Sequence, residues 1–262
     1  MDIVLTIFAG ATVGLAIGIT GVGGGSLMTP ILLLFGFPLH VAVGTDLLYA
    51  AVTKSGGAVL HARQQSIEWP LVLLLAAGSV PAAALTILAL NLLFDSPEQY
   101  RQLITTTLGI MLIFTAAILA FRVAFLRNRP VASTSNEWAD QSNRASNLLT
   151  FLMGIGLGVT VTLSSVGAAA VATAVLLLLY PRLSALHIVG TNMVHAVPLT
   201  LVAGLGHFYL GNVDLFLLVC LLTGSLPAIY VGTRIAVFLP DNILQPTLAV
   251  VLLAVGVRYT FF

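Results

Sequence analysis

One segment of this chain occurs twice, and this duplication constrains the fold more than any other feature. Residues 44–82 align with residues 190–228, 146 positions later, without a gap. The matching motifs are Gly44-Thr45-Asp46 with Gly190-Thr191-Asn192, His61 with His207, Ile67-Glu68 with Val213-Asp214, and Gly78-Ser79-Val80-Pro81-Ala82 with Gly224-Ser225-Leu226-Pro227-Ala228. In a very apolar chain, such a repeat is typical of a polytopic membrane transporter with substrate sites between the two copies.

The composition indicates that most of the surface faces lipid. Of the 262 residues, 59% are hydrophobic and 7% are charged, and the mean hydropathy is +1.08, whereas a soluble domain carries roughly 25% charged residues. The single cysteine, Cys220, excludes an intrachain disulfide, and the lack of a basic block excludes nucleic acid as a partner. Only Asp2 precedes the first apolar run. Because a signal peptide begins with a basic region, we expect this segment to stay in the mature protein.

Ten apolar runs predict an all-α polytopic membrane protein with two repeats of about five helical segments each. The runs lie at about 3–19, 22–36, 41–60, 70–93 and 102–125, and at about 148–163, 166–180, 186–207, 214–233 and 242–261. Most of the longer runs reach the roughly 20 residues that span a bilayer. The first pair in each set is shorter, at roughly 22–26 Å for about 1.5 Å per residue. Each pair is therefore predicted to form either thin spans or a short, re-entrant hairpin.

The two repeats are predicted to have inverted topology. Either form of the hairpin returns the chain to its starting side, so three further crossings give each repeat an odd number. Basic residues collect in cytoplasmic loops, and this topology places Arg63, Arg122, Arg127, Arg129, Arg144, Arg182 and Arg234 on one side against Arg101 and Arg258 on the other. We therefore expect an N-terminal repeat at 1–125, a cytoplasmic linker at 126–147 and a C-terminal repeat at 148–262. The protein is expected in the plasma or inner membrane with both termini outside.

The turn of each hairpin is a candidate anion site. The first runs through 18–26 (GITGVGGGS) and its counterpart through 162–170 (TLSSVGAAA). A glycine-rich reversal followed by a helix start directs free backbone N–H groups towards one point, which suits an oxyanion. The alternative is that these small residues only permit close helix packing. The substrate-binding candidates in these turns are Gly21, Gly23, Gly24, Gly25, Ser164 and Ser165.

The third segment of each copy carries a polar stripe at helical spacing. Its candidates for substrate binding are Thr45 in the first copy and Thr191, Asn192 and His195 in the second, with Pro198 expected to open the helix beyond them. Asp46 and Tyr49 align with Asn192 and His195, so the copies differ where a charge selects a substrate or carries a proton. Ionisable groups at membrane depth are costly and usually functional. Asp46, Tyr49 and Lys54 are therefore candidates for coupling or charge selection.

Each of these candidates has a simpler interpretation. Asp46 lies only two turns beyond His40, which is also compatible with a position at the membrane interface. The side chain of Lys54 can extend towards the cytoplasmic boundary, contact the substrate or pair with Asp46. We expect His61 and His207 to anchor helix ends at opposite interfaces. Pro81 and Pro227 are expected to bend their helices.

The sequence does not favour an enzyme. It contains no zinc-binding His-Glu-x-x-His motif, no Gly-x-Ser-x-Gly nucleophile turn and no pair of catalytic carboxylates. We therefore expect no catalytic residue, no cofactor and no metal site.

The chain resembles the sulfite exporter TauE/SafE family of membrane permeases over nearly its whole length apart from the linker. In the first copy the resemblance rests on GITGVGGGS at 18–26, Pro30, Pro38-Leu39-His40, Gly44-Thr45, Ser55-Gly56-Gly57 and His61, and in the second on Gly190-Thr191-Asn192 and Gly224-Ser225-Leu226-Pro227. The resemblance implies a multi-pass permease for sulfite, sulfoacetate or a related organosulfur anion. The sequence departs from this pattern in the second hairpin, where Ala168 and Ala169 stand in place of two glycines, so we do not expect the two hairpins to participate equally.

The sequence thus predicts a secondary transporter that moves a small organosulfur anion by alternating access between inverted repeats. Its expected partners are the substrate, the lipid bilayer and a coupling proton, and an oligomer is compatible with the sequence. The alternatives are a passive anion channel and a secondary transporter for a carboxylate or another small solute. Against a channel, the polar residues concentrate at one level instead of forming rings along a pore.

Overall fold

The computed structural model describes residues 3–20, 28–121, 144–167, 169–236 and 241–261. These residues form ten α-helices and no strand, which confirms an all-α polytopic architecture. The helices are α1 (Ile3–Thr20), α2 (Met28–Leu34), α3 (Leu39–Arg63), α4 (Trp69–Leu93), α5 (Pro97–Phe121), α6 (Arg144–Ser164), α7 (Ala170–Leu179), α8 (Ala185–Tyr209), α9 (Leu215–Ala236) and α10 (Asp241–Phe261).

Helix lengths separate spanning helices from half-length ones. The 25-residue helices α3, α4, α5 and α8 are about 37 Å long, and the described residues include five helices that are both long and apolar enough to cross a membrane. At 7 and 10 residues, α2 and α7 are far too short to span it. The second member of each hairpin is therefore a half-length helix.

The first helix of the second copy starts before its predicted boundary. Helix α6 begins at Arg144 and has 21 residues, so it is longer than the predicted run at 148–163. Residues 144–147, assigned to the linker from their polarity, belong to this helix. The rest of the linker, up to residue 143, lies outside the described residues.

Helices α4, α8 and α9 each continue through an internal proline. Pro81 lies within α4, Pro198 within α8 and Pro227 within α9. The expectation that Pro198 opens its helix is wrong, because α8 runs unbroken to Tyr209. Membrane helices tolerate proline because neighbouring groups satisfy the carbonyl that loses its partner.

Helices α3 and α8 end in the same way. After α3, Gln65 adopts a φ of 53° and the Ser66 N–H donates to the His61 carbonyl at 3.2 Å. After α8, Gly211 adopts a φ of 75° and the Asn212 N–H donates to the His207 carbonyl at 2.9 Å. Each is a Schellman-type end with a left-handed residue one position before the donor. The two copies therefore share the same backbone conformation at the ends of these helices.

The distribution of polarity is that of a membrane protein. Large apolar side chains are exposed along the helices, among them Leu73 and Leu93 of α4, which are 67% and 73% exposed. The interior holds polar and ionisable side chains, including Lys54 at 5% exposure and His207 at 0%. In water this arrangement would expose a large apolar surface while burying ionisable groups, which is unfavourable. It is favourable when the apolar surface faces lipid.

The first helix of each copy packs on the fourth helix of the other copy. Gly10 and Gly14 of α1 lie directly against the α9 backbone, where a methyl group on Gly14 would be 2.5 Å from the Ser225 carbonyl oxygen. Gly154 of α6 lies against α4 in the same manner, and its added methyl group would be 2.6 Å from the Leu75 carbonyl oxygen. Small residues let membrane helices approach this closely. The two copies are therefore interlocked.

Contacts along these pairs give the relative directions of the helices. In the pair of α1 and α9, Gly10 meets Leu221 and Gly14 meets Ser225, so the two helices run parallel. Helices α4 and α6 are also parallel, because Gly154 meets Leu75 and Gly158 meets Ser79.

Two further pairs run antiparallel. Gly44, early in α3, meets Asn212 after the end of α8, while Gly190, early in α8, meets Ser66 after the end of α3. Helices α5 and α10 are likewise antiparallel, since Gly109 meets Thr260 and Gly256 meets Ile113.

Candidate functional site

The candidate site lies where α3 and α8 pack against each other and against the two short helices. Among the described residues, the polar side chains that converge on this region are Thr29, Thr45, Asp46, Tyr49, Lys54, Ser79, Ser165, Thr191, Asn192, His195 and Ser225. All are buried, and Lys54 is the most exposed of them at 5%. Burial of so many polar groups costs free energy unless they are hydrogen-bonded, so their partners indicate what each one does.

Asp46 and Asn192 each hold the short helix of their own copy. One Asp46 carboxylate oxygen, Oδ2, accepts hydrogen bonds from the Thr29 hydroxyl at 2.6 Å and from the Thr29 N–H at 3.2 Å. The Asn192 amide group donates to the Thr173 hydroxyl at 3.1 Å and to the Ala169 carbonyl at 3.0 Å. These contacts fix α2 on α3 and α7 on α8. The remaining oxygens, Asp46 Oδ1 and Asn192 Oδ1, have no partner among the described residues.

Lys54 links the polar stripes of the two copies. Its side chain is buried rather than extended to a membrane boundary, and its charge interacts with both Asp46 and His195. The described residues give it no hydrogen bond or ion pair within 4 Å. The interior thus contains a cation that interacts electrostatically with a carboxylate but forms no ion pair with it among the described residues.

His195 and Tyr49 occupy equivalent positions and face equivalent serines. His195 Nε2 and the Ser79 hydroxyl of α4 are hydrogen-bonded at 2.8 Å, while His195 Nδ1 has no partner among the described residues. Tyr49 faces Ser225 of α9, although its hydroxyl makes no hydrogen bond of normal geometry. Each polar stripe therefore faces the fourth helix of the other copy, at the Gly-Ser pair that precedes the internal proline.

The turn of the second hairpin places a serine beside Asp46. Ser165 adopts a left-handed φ of 57°, which is uncommon for a residue with a side chain. Its hydroxyl lies beside the Asp46 carboxylate, but neither Ser165 Oγ nor Asp46 Oδ1 has a hydrogen-bond partner among the described residues. Ser164, in contrast, donates to the Thr160 carbonyl at 2.6 Å and accepts from the Val166 N–H at 3.2 Å, so its hydroxyl shapes the turn.

Thr45 and Thr191 form a reciprocal pair of contacts between the copies. The Thr45 hydroxyl accepts a hydrogen bond from the Asp214 N–H at 3.2 Å, and the Thr191 hydroxyl accepts one from the Glu68 N–H at 2.9 Å. Asp214 directly precedes α9, and Glu68 directly precedes α4. We call these two contacts the latches. They lie at opposite ends of the antiparallel pair formed by α3 and α8.

The two latches differ in their surroundings. Glu68 lies outside the helices, and burial raises the pKa of its carboxyl group above the ordinary value, while the nearby His187 acts in the opposite direction. The Asp214 carboxylate accepts a hydrogen bond from the Leu217 N–H at 2.9 Å and so caps the start of α9.

His207 is not the interfacial anchor that its place near a helix end indicates. It is fully buried, its Nε2 is 2.9 Å from the Thr162 carbonyl oxygen of α6, and its Nδ1 is 3.2 Å from the Asn212 amide nitrogen. His61 is partly buried, and its Nδ1 is 2.8 Å from the Ser66 hydroxyl. Both histidines therefore brace the loops after their helices.

The structure brings together some of the residues singled out from the sequence. Asp46, Lys54, Ser165 and His195 share one buried region, with Tyr49 and Asn192 on its sides. Gly21, Gly23, Gly24 and Gly25 lie outside the described residues, so their role in anion binding stays a prediction. Substrate binding by Thr45, Thr191 and Ser164 also stays a prediction, and their hydroxyls already have the partners described above.

Sequence reasoning missed four polar partners in this region: Thr29, Thr173, Ser79 and Ser225. A signal for each is present in the sequence. Ser79 and Ser225 belong to the duplicated Gly-Ser-x-Pro motif. Thr29 and Thr173 are 144 positions apart, which is the spacing that relates the two hairpin turns.

An all-helical, interlocked duplication with a buried polar centre defines a polytopic membrane transporter. The chain belongs to the family described as sulfite exporter TauE/SafE, whose model matches residues 6–259. It is 34% identical over 253 residues to "Probable membrane transporter protein YjnA" of Bacillus subtilis (strain 168), covering 96% of this chain and 97% of that protein. It is also 28% identical over 250 residues to "Probable membrane transporter protein YdhB" of the same organism, with 94% of each chain covered. No solved structure matches.

Proposed function

We propose that this protein is a secondary transporter of sulfite, sulfoacetate or a related organosulfur anion, and that it works by alternating access between two inverted repeats. The observation that carries the proposal is the pair of latches at opposite ends of α3 and α8. The buried polar region lies between them. Opening one latch at a time would expose this region to one side of the membrane and then to the other.

The helix directions support the inverted arrangement. Helices α3 and α8 occupy equivalent places in the two copies and run in opposite directions. The parallel pairs of α1 with α9 and α4 with α6 extend this relation to the rest of each copy. The same directions support a topology with the start of α1 and the end of α10 at one end of the molecule, and the end of α5 and the start of α6 at the other. The excess of arginine near the linker favours the cytoplasm for that end.

The donors in the buried region suit a small oxyanion. Lys54 supplies a positive charge, and Ser165 and Tyr49 supply hydroxyl groups that lack a hydrogen bond among the described residues. A sulfonate or sulfite has three oxygens with delocalised charge, so it gains from one cation and several neutral donors. The family description is the reason for preferring a sulfur oxyanion to a carboxylate.

The acceptors in the same region suit a coupling proton. Asp46 Oδ1 has no partner in the described part of the chain and lies beside Ser165, where the anion is proposed to bind. His195 is the other candidate, but Lys54 lies within electrostatic range of it, and two positive charges in one buried site would repel. We therefore assign the proton to Asp46 and a hydrogen-bonding role to His195.

Flux measurements in proteoliposomes test the transport activity. We expect uptake of radiolabelled sulfite or sulfoacetate to saturate with concentration and to be accelerated by the same anion inside. Uptake that rises linearly without counter-exchange would indicate a channel. Strong competition by acetate or succinate, with none by sulfoacetate, would instead indicate a carboxylate transporter.

Thiol accessibility tests the latches. With Ser165→Cys on a Cys220→Ser background, the cysteine lies in the buried region between them. We expect Thr45→Val to increase labelling by an impermeant reagent from the side of the chain termini, and Thr191→Val to increase it from the side of the linker. Thr223→Val, which removes an exposed hydroxyl bonded only within α9, is the control. Equal labelling from both sides in both variants would contradict alternating access.

A further inference from the structure

A pocket at the end of the molecule that holds the chain termini has no role in the site described above. Its volume is about 710 Å³, enough for a small organic anion and its water. The start of α3, the start of α5 and the last turn of α10 surround it. The lining residues are Leu33, Gly36, Phe37, Pro38, Leu39, His40, Glu98, Arg101, Thr105, Arg258 and Tyr259.

The charges around this pocket favour an anion. Arg101 and Arg258 come from two different helices, and His40 comes from a third. Glu98 is the only acidic side chain among the described lining residues, and its closest approach to Arg101 is 4.0 Å with both side chains more than two-thirds exposed. Such a pair is weak, so Glu98 does not neutralise the pocket. Arg258 has no ion-pair partner among the described residues.

Two helix starts add to this potential. Helices α3 and α5 begin at Leu39 and Pro97, and each has 25 residues. The positive ends of the two helix dipoles lie at these first turns. His40 and Glu98 lie within these turns and interact electrostatically. The pocket thus combines a cavity, two guanidinium groups and two helix starts.

We propose that this pocket binds a small oxyanion and recruits the transported anion to the buried site, a role that rests on the proposed function. His40 precedes Asp46 by six positions on α3, a rise of about 9 Å. An anion bound in the pocket would therefore lie within about two helical turns of the Thr45 latch. Positive potential at such an entrance raises the association rate of an anion, and the effect falls with ionic strength.

The phosphate of a lipid headgroup shares the chemistry of the transported anion, so the experiment must report from the pocket itself. Thr105→Cys on a Cys220→Ser background places a thiol in the lining. Its reaction rates are measured with the anionic 2-sulfonatoethyl methanethiosulfonate and the neutral methyl methanethiosulfonate. We expect the ratio of the anionic to the neutral rate to fall about tenfold when Arg101→Gln and Arg258→Gln are added. Arg63→Gln, an exposed arginine at the opposite end of α3, is the matched control and leaves the ratio unchanged.

Competitors then identify the source of the oxyanion. Protection of the thiol by sulfoacetate or inorganic phosphate in phosphatidylcholine nanodiscs supports a site for a free anion. Protection that requires phosphatidylglycerol in the nanodisc supports the same oxyanion site occupied by a lipid headgroup. If the rate ratio does not change in the double variant and no anion protects, the proposal is overturned. The assay needs no transport, so a failure of the transport assay leaves its result interpretable.

Discussion

The two copies build the same scaffold around different chemistry. In each, a side chain on the third helix holds a threonine of the short helix, but the first copy uses the Asp46 carboxylate and the second the Asn192 amide. Lys54 in the first copy aligns with Thr200 in the second, where the hydroxyl only donates to the Ala196 carbonyl of its own helix. In the proposed mechanism the duplicated contacts are the parts that move. The charges of Asp46 and Lys54, which the second copy lacks at the aligned positions, are proposed to select the substrate and to carry the coupling proton.

Replacing Asp46 with asparagine makes the first copy resemble the second and should have the largest effect. Asp46→Asn keeps an oxygen for the Thr29 hydroxyl, so we expect the protein to fold. It removes the proposed proton carrier, and uptake driven by a pH gradient should fall at least about 100-fold, while counter-exchange of sulfite persists. The matched control is Asn192→Gln. Gradient-driven uptake at the normal rate in Asp46→Asn would show that the proton does not use this carboxylate.

Removing the buried cation should weaken substrate binding next most strongly. Lys54→Met keeps the length and apolar stem of the side chain but loses its charge. Because a charge-assisted hydrogen bond contributes about 1.5–3 kcal/mol, we expect the KM for sulfite to rise roughly 10- to 100-fold. Thr200→Val makes the corresponding change in the second copy and should alter KM less than about threefold. Similar losses in both variants would mean that the difference in charge does not select the anion.

Exchanging His195 for glutamine should have an intermediate effect. Glutamine retains a hydrogen bond towards Ser79 but does not titrate, so we expect transport to fall about tenfold with substrate binding largely retained. His195→Ala should lose both binding and rate. The pH profile of transport between about pH 5 and 8 separates the candidates for the proton. If the pH dependence of transport is lost in His195→Gln and retained in Asp46→Asn, then His195 of the second copy carries the coupling proton instead of Asp46.

The interlocked helix pairs predict the smallest change in activity but a clear change in stability. Gly154→Ala forces a methyl group against the Leu75 carbonyl oxygen, and overpacking of this kind costs about 1–3 kcal/mol. We expect the unfolding temperature to drop by about 5 °C. Gly156→Ala, two positions along α6, meets nothing within 4 Å and is the control. Gly10→Ala should match Gly154→Ala, since Gly10 meets Leu221 as Gly154 meets the equivalent Leu75.

Hydropathy predicted the ten helices because lipid demands a continuous apolar surface on every segment that crosses it. Hydropathy could not predict the pairing of α1 with α9. Lipid is as apolar as a partner helix, so the hydropathy of a helix face does not show which of the two it contacts. The spacing of Gly10 and Gly14, repeated at Gly154 and Gly158, was the available signal.

The partners within the candidate site were harder to predict than the polar stripes themselves. The stripe residues stand out because ionisable groups are rare in such a chain. Thr29 and Thr173 do not, because threonine is common in membrane helices and the matching residues around them, Leu32–Leu34 and Leu176–Leu178, are leucines typical of any apolar run. Lys54 shows the limit most clearly: its position in the sequence is compatible with several orientations, and only packing decides among them.

The interlocking of α1 with α9 also has a consequence for biosynthesis. Gly10 and Leu221 are 211 residues apart, so at roughly 5–20 residues per second the ribosome delivers the partner of α1 about 10–40 s after α1 itself. During that interval the first half of the nascent protein resides in the membrane, and the face of α1 that carries Gly10 and Gly14 contacts lipid or an insertion chaperone instead of α9. A premature stop before α9 would therefore leave no half-size transporter, only an unpartnered helix for the quality-control proteases.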